Sequence, residues 1–422
     1  MANRIDKGSV GSMKKWLYIL LGIVIMMSLG TVYSWSIFRI PIEEKFGIGT
    51  TQSGFPYMVS LASYAIFMLI SGRYLDRFSP RAIIIVGGLL VGLGWTLSGF
   101  AENIYQLTAT YGLITGAGVG IVYGVPMAVA AKWFPEKRGL VVGLVLGGFG
   151  LSPFITAPIA RYLIEEFGIM NSFQILGISF GILIPLLSWP FEYPSAHPGN
   201  GRAASIGELS HGIDTKNMLR TRSFKNMYLC FMIGAMIGLI MIGMTSSVGI
   251  ELIGIDPGSV ALFTSLFAVF NGVGRPLFGL VADRFQVKNA MALSYGLIIV
   301  AASLMLMAKD ESTVLYAVAF SLFWLNLGGW LSIAPTATTR LYGVKHYSQN
   351  YGVVFTAYGI AAVVGVLASG FLKDAMGNYN SIFYMVIILA FMGMFLSRKV
   401  EMEIQEKQMP GKKGDKDPRS VA

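Results

Sequence analysis

Gly72-Arg-Tyr-Leu-Asp-Arg-Phe78 and Gly279-Leu-Val-Ala-Asp-Arg-Phe285 carry one pattern twice: a glycine, then Asp-Arg-Phe beginning four residues later. Each copy closes the second long apolar run of its half of the chain. A signal repeated at equivalent places in both halves indicates internal duplication. Outward from each copy the sequence continues as apolar runs separated by short polar segments.

Of 422 residues, 54% are hydrophobic and 13% charged, against about 25% charged in an average soluble domain. A chain so poor in charge cannot cover a water-soluble surface. Runs of about 20 residues suffice to cross a hydrocarbon core as helices. They are expected near 16–38, 51–72, 82–101, 104–130, 139–160, 172–190, 226–249, 258–282, 289–308, 312–336, 349–371 and 379–397. The first run exceeds the roughly 7–15-residue apolar core of a secretion signal and lacks a small-residue cleavage site, so it reads as a retained span.

The fold class expected is an all-α membrane protein with twelve transmembrane helices in two six-helix bundles. The N-terminal bundle takes 1–190, a cytoplasmic linker 191–225, the C-terminal bundle 226–397 and a cytoplasmic tail 398–422. The single cysteine, Cys230, rules out an intrachain disulfide.

The net charge of +10 raises the question of a nucleic-acid partner. In the alternating-loop topology, 26 of the 32 lysines and arginines fall on the side holding both termini, while Arg39, Lys45, Arg161, Lys309 and Lys373 fall on the other. The positive-inside bias therefore places both termini in the cytoplasm and accounts for the basic character without nucleic acid. The environment expected is the plasma membrane, with a lipid bilayer around a multi-pass monomer.

The repeated acids and arginines, Asp76, Arg77, Asp283 and Arg284, suit charge-assisted bonds between neighbouring helices, a latch that holds one face shut in one state. Gly116 and Gly120, like Gly143 and Gly147, share a helix face and permit close backbone contact.

Arg275 stands apart, well inside the eighth run and about two turns from Asp283. A guanidinium in hydrocarbon is costly and marks a substrate or ion route. No other run carries an acid at mid-depth, so an anionic substrate is the natural counter-charge, and the planar fork suits a carboxylate. Tyr33, Tyr123 and Tyr358 sit at mid-depth, where a phenol lines a dry cavity and still donates a hydrogen bond. Phe149, Asn271, Asn326 and Trp330 are secondary candidates.

Gly116-Ala-Gly-Val-Gly-Ile-Val-Tyr-Gly124, Lys132-Trp-Phe-Pro-Glu-Lys-Arg-Gly-Leu140, Asn350-Tyr-Gly352, Tyr33-Ser-Trp35 and Asn271-Gly-Val-Gly-Arg-Pro276 together resemble the oxalate/formate antiporter family of the major facilitator superfamily. The Trp133–Leu140 segment is also similar to the fifth-helix signature of monocarboxylate transporters. The resemblance implies the major facilitator fold, alternating access, Arg275 as the substrate-binding arginine and Tyr33 and Tyr123 as pocket tyrosines. Departures from the family are informative. Where the oxalate exchanger has a lysine in its eleventh span this chain has Tyr358, and where it has a pocket tyrosine in the fifth this chain has Phe149. A tryptophan and a tyrosine of its tenth span fall on Leu327 and Leu331.

Oxalate is a dianion, and two charges in a low-dielectric cavity call for two cations. One cation balances a monoanion. The expectation is therefore a secondary transporter of small organic anions, monocarboxylates such as lactate, pyruvate and formate, coupled to protons. The alternatives are an oxalate/formate-type exchanger and, more remotely, a carboxylate-sensing receptor, for which the short charged tail supplies no signalling domain. Proton-linked relatives carry an aspartate where Asn271 stands, leaving Glu251 and Asp256 as the nearest acids. There is no Walker loop, and His197, His211 and His346 lack metal-ligand spacing. Neither an enzyme nor a cofactor is expected.

Overall fold

The computed structural model describes residues 7–75, 77–134, 137–194, 212–343 and 345–400. Among them, twelve helices are long and apolar enough to cross a membrane. They are α1 (Lys15–Phe46), α2 (Thr50–Ser71), α3 (Pro80–Ser98), α4 (Ile104–Trp133), α5 (Gly139–Phe167), α6 (Ile169–Ser188), α7 (Arg222–Leu252), α8 (Pro257–Arg284), α9 (Val287–Met307), α10 (Thr313–Tyr342), α11 (Gln349–Met376) and α12 (Asn380–Ser397). This multi-pass membrane architecture agrees with the sequence expectation.

An even number of crossings returns the chain to its starting side. Tyr18 near the start of α1 stacks on Trp133 at the end of α4, and Ser223 at the start of α7 donates to the Val400 carbonyl. That side is called the terminal end below, and the opposite side the far end.

Local chemistry sets the helix boundaries. Ser79, Asn103, Thr221 and Asp256 each accept from an amide two or three residues on, capping α3, α4, α7 and α8. Pro80 and Pro257 fill first-turn positions whose missing N–H costs nothing. Gly47 and Gly377, at φ +63° and +68°, close α1 and α11 in the left-handed conformation.

Three of the described helices depart from α geometry, α7 among them with a π-helical end over Val248–Leu252. α1 tightens into a 3-10 segment over Gly30–Ser34, and α4 widens into a π-helical stretch over Thr108–Thr115.

Glycines set the closest packing. A Cβ on Gly328 of α10 would lie 2.0 Å from the Asn271 carbonyl oxygen of α8, and one on Gly274 would lie 2.1 Å from that of Leu325. The two backbones touch there, which only small residues permit. Gly328→Val should therefore lower the melting temperature of the solubilised protein by several degrees, since overpacking costs about 1–3 kcal/mol. Gly139→Ala is the control, because its Cβ meets nothing within 4 Å. Equal melting temperatures for the two variants would refute the close-contact argument.

The structure corrects several boundaries. α1 continues past residue 38 to Phe46, so Arg39 and Lys45 belong to a helix rather than a loop, and Arg39 is 2% exposed. Arg39 and Glu43 interrupt the hydropathy of the first run without ending its helix, because the two satisfy each other across one turn.

The expected linker is partly structured where described. Thr215–Met218 form one helical turn and α7 starts at Arg222. Asn350 clamps this segment, donating to the Ile213 carbonyl at 2.9 Å and accepting from Thr215 at 2.8 Å. This gives the Asn350-Tyr-Gly352 motif a structural role. Across the sequence midpoint, α8 packs on α5, α11 on α2 and α7 on α1.

Candidate functional site

On α8, Asn271 and Arg275 stand one turn apart, 0% and 4% exposed. The approaches of Gly274 to Leu325 and of Gly328 to Asn271 bring α8 against α10, and Asn271 Nδ2 donates to the Trp324 carbonyl of α10 at 3.0 Å. That bond fixes the amide with Oδ1 turned towards α5. Arg275 reaches the same way, and its Nη1 donates to the Leu146 carbonyl of α5.

Arg275 Nε and Nη2 and Asn271 Oδ1 are buried and have no partner. All three converge on Gly150, where a Cβ would lie 3.1 Å from Nε, 3.2 Å from Nη2 and 2.5 Å from Oδ1. A buried guanidinium ordinarily fills its donors. This one keeps two in reserve beside a helix face stripped of side chain.

The same turn of α5 presents Phe149 to an aromatic cage. Tyr33 and Tyr123 meet it edge-on, with ring centroids at 5.2 and 5.3 Å. Tyr33 of α1 and Tyr358 of α11 share a hydroxyl–hydroxyl hydrogen bond of 2.7 Å that crosses between the two halves of the chain.

Five of the sequence candidates beside Arg275 thus gather here: Tyr33, Tyr123, Phe149, Asn271 and Tyr358. Asn326 and Trp330 do not join them. Asn326 is committed to Ser294 at 2.6 Å and to the Leu322 carbonyl at 2.7 Å, tying α9 to α10. Trp330 fills the space left by Gly234, packed on Tyr295 and Phe231.

Sequence reasoning missed Tyr64, whose ring lies 5.0 Å from Tyr123 and 6.0 Å from Tyr358, and Phe355, 5.0 Å from Tyr358. The spacing of Tyr351, Phe355 and Tyr358 puts an aromatic stripe on one face of α11, a signal that was available. A small cavity also opens inside the first six helices, lined by Ser28, Ser60, Trp95, Tyr111 and Thr115 among others. It carries no charged side chain and so offers an anion nothing comparable to Arg275.

At the terminal end, Asp283 of α8 pairs with Arg340 of α10. Arg340 Nη2 lies 2.7 Å from the Asp283 carbonyl oxygen and 3.9 Å from its carboxylate. This contact joins neighbouring helices within the last six, and its short bond is to the Asp283 backbone carbonyl rather than to the carboxylate. Arg77 lies over the Tyr74 ring at 5.6 Å, Arg284 is exposed, and Asp76 lies outside the described residues.

The two acids considered for proton carriage are engaged. Glu251 pairs with Lys373 at 2.9 Å. Asp256 is an exposed cap whose carboxyl is held below its usual range by hydrogen bonds from Ser259. Its proton affinity is thus lowered in a place already open to water. Asp256→Asn should leave the pH profile of transport unmoved, and a displaced profile would show that Asp256 carries the proton.

The family model of the Major Facilitator Superfamily matches residues 20–252 and again 227–420. The chain is 27% identical over 384 residues to an oxalate:formate antiporter of Oxalobacter formigenes, covering 91% of this chain and 90% of that one. It is 25% identical over 372 residues to monocarboxylate transporter 12 of Xenopus laevis, covering 82% and 80% respectively. Its fold resembles a crystal structure of a bacterial homolog of the human lysosomal transporter Spinster, inward-facing and unoccupied. The TM-score is 0.69 at 13% identity, over 92% of this chain and 94% of that one. Twelve spans, a duplicated sequence signal and the family match agree, and the chain belongs to the Major Facilitator Superfamily of transporters.

Proposed function

We propose that this transporter moves small monocarboxylates such as lactate, pyruvate and formate by alternating access, coupled to protons, with Arg275 as the anion site. The observation that carries this reading is the pair of unpartnered donors on Arg275, buried in front of Gly150 and next to the tyrosine cage. A carboxylate would fill both nitrogens and cancel the charge. Tyr33, Tyr123 and Tyr358 supply phenols around an apolar tail.

The charge count favours a monoanion, because Tyr358 stands where the oxalate exchanger is expected to carry a lysine. In this reading residues 1–190 and 226–397 rock about the site as a monomer, joined by the 191–225 linker. The terminal end faces the cytoplasm across the plasma membrane.

The second reading is anion exchange, and the same donors favour it. With the site empty, reorientation carries an uncompensated buried charge, which slows the unloaded return. Competition in proteoliposomes tests both. Monocarboxylates should inhibit uptake of labelled lactate at concentrations where oxalate does not. Uptake driven by a pH gradient into empty vesicles indicates proton symport, whereas strict dependence on internal anion indicates exchange. Oxalate competing as well as lactate would defeat the charge count.

A further inference from the structure

Asp374, in the last turns of α11, reaches out of its own half of the chain. Its carboxylate accepts from Thr50 N at 3.0 Å, Thr51 N at 2.9 Å and Thr51 Oγ1 at 2.5 Å. Those amides are the first donors of α2, which the helix itself leaves unpaired. A residue of the last six spans therefore caps a helix of the first six.

Small residues make the approach possible. A Cβ on Gly370 would lie 2.7 Å from Thr51 Cα, and one on Gly49 would lie 3.2 Å from the Asp374 carboxylate.

A second crossing lies beside it. Arg39 Nη1 donates to the Gly243 carbonyl of α7 at 3.1 Å, and its Nε donates to Ser53 in the first turn of α2 at 2.9 Å. Ser53 in turn donates to Glu43 at 2.5 Å. The start of α2 is thus held from both sides, by Asp374 on α11 and through Arg39 on α7.

On the α5–α8 side the other end of the seam differs, while α2 and α11 stay packed there, a Cβ on Gly352 falling 2.9 Å from Leu69 Cδ1. Gly139, Gly143 and Gly147 of α5 follow one helical stripe with Gly150, yet only Gly150 meets α8; the other three have nothing within 4 Å. The far end is bolted while the α5–α8 seam parts towards the terminal end.

We infer that Asp374 is the latch of a far-end gate, backed by Arg39, and that the α2 N-terminus must leave the Asp374 carboxylate before the Arg275 site opens to that side. The inference rests on the alternating-access reading above. Asp374 is exposed, so its bonds exchange with water readily, and its negative charge is favoured at a helix N-terminus. Both properties suit a contact made and broken in every cycle.

The test is a distance measurement on the full chain in lipid. Nitroxide labels are attached through Glu44→Cys on α1 and Asn378→Cys after α11 in a Cys230→Ser background and read by pulsed electron resonance. Wild type should show a dominant short distance. Asp374→Ala should raise the long-distance population by about fivefold, as expected for loss of a charged cap. Thr51→Val, which removes one donor, should shift it the same way by less, and it is the milder variant should Asp374→Ala fold poorly. Distributions in both variants that superimpose on wild type would overturn the latch. Counterflow of labelled lactate on the same samples reports on the transport reading separately, so the two ideas fail independently.

Discussion

Arg275→Lys is expected to leave a folded, inserted protein whose lactate, pyruvate and formate uptake falls by about 100-fold. Lysine keeps the charge but loses the fork that leaves two nitrogens unpartnered for the proposed anion while a third holds the Leu146 carbonyl. Loss of one bond between charged partners is worth about 1.5–3 kcal/mol, or roughly 10- to 150-fold. Arg275→Met separates function from structure. It removes a buried charge that lacks a counter-ion, so the melting temperature should hold or rise while uptake disappears. A merely structural arginine predicts the reverse: a large loss of stability with residual transport in whatever folds. Uptake by Arg275→Lys at the wild-type level would remove Arg275 from the site.

Tyr358→Lys should exchange one selectivity for another. The substitution breaks the Tyr33–Tyr358 hydrogen bond and sets an ammonium in the same cage whose Phe149 adjoins Gly150, the residue that faces Arg275. Like charges across a dry cavity raise the energy of the empty state, so the unliganded variant should melt several degrees below wild type, and oxalate should restore more stability than lactate does. In competition, the inhibition constant for oxalate should fall by at least about tenfold relative to that for lactate, the signature of a matched second charge. An unchanged ratio in a well-folded variant would mean that substrate charge is set elsewhere.

Much of this architecture was legible in the sequence because a bilayer leaves the chain few options: about twenty apolar residues, then a turn. The repeat around Asp76 and Asp283 exposed the duplication, and the lone charge in the eighth run pointed to the candidate site. Arg39 was not legible. As a string its position resembles a loop cation, and only the folded chain shows Ser53, Gly243 and Glu43 arranged to receive it.

Asn326 and Trp330 looked equivalent to Asn271 because depth along a helix can be counted from sequence, whereas the direction a side chain faces depends on its neighbours. The Trp324 carbonyl holds the Asn271 amide with Oδ1 towards α5, and Ser294 claims Asn326. Tyr64 was missed for a related reason: one phenol in a long apolar run acquires meaning only when Tyr123 and Tyr358 close around it.

The short 3-10 stretch of α1 begins at Gly30, where an added Cβ would lie 2.3 Å from the Phe149 carbonyl oxygen of α5. That point cannot slide, because there is no slack between the two backbones, but it can pivot. Under the alternating-access reading proposed above, any bending of α1 within its bundle would hinge there, as a lever with its fulcrum at Gly30. At about 1.5 Å per residue, the arm from there to Phe46 is roughly 24 Å long, so a tilt of about 5° swings its far tip by roughly 2 Å. Tyr33, three residues from the fulcrum, moves by less than about 0.5 Å in the same stroke. Such a hinge would give short travel at the cage, about 1 Å at Arg39 and the longest travel at the tip, a gearing built from one residue without a side chain.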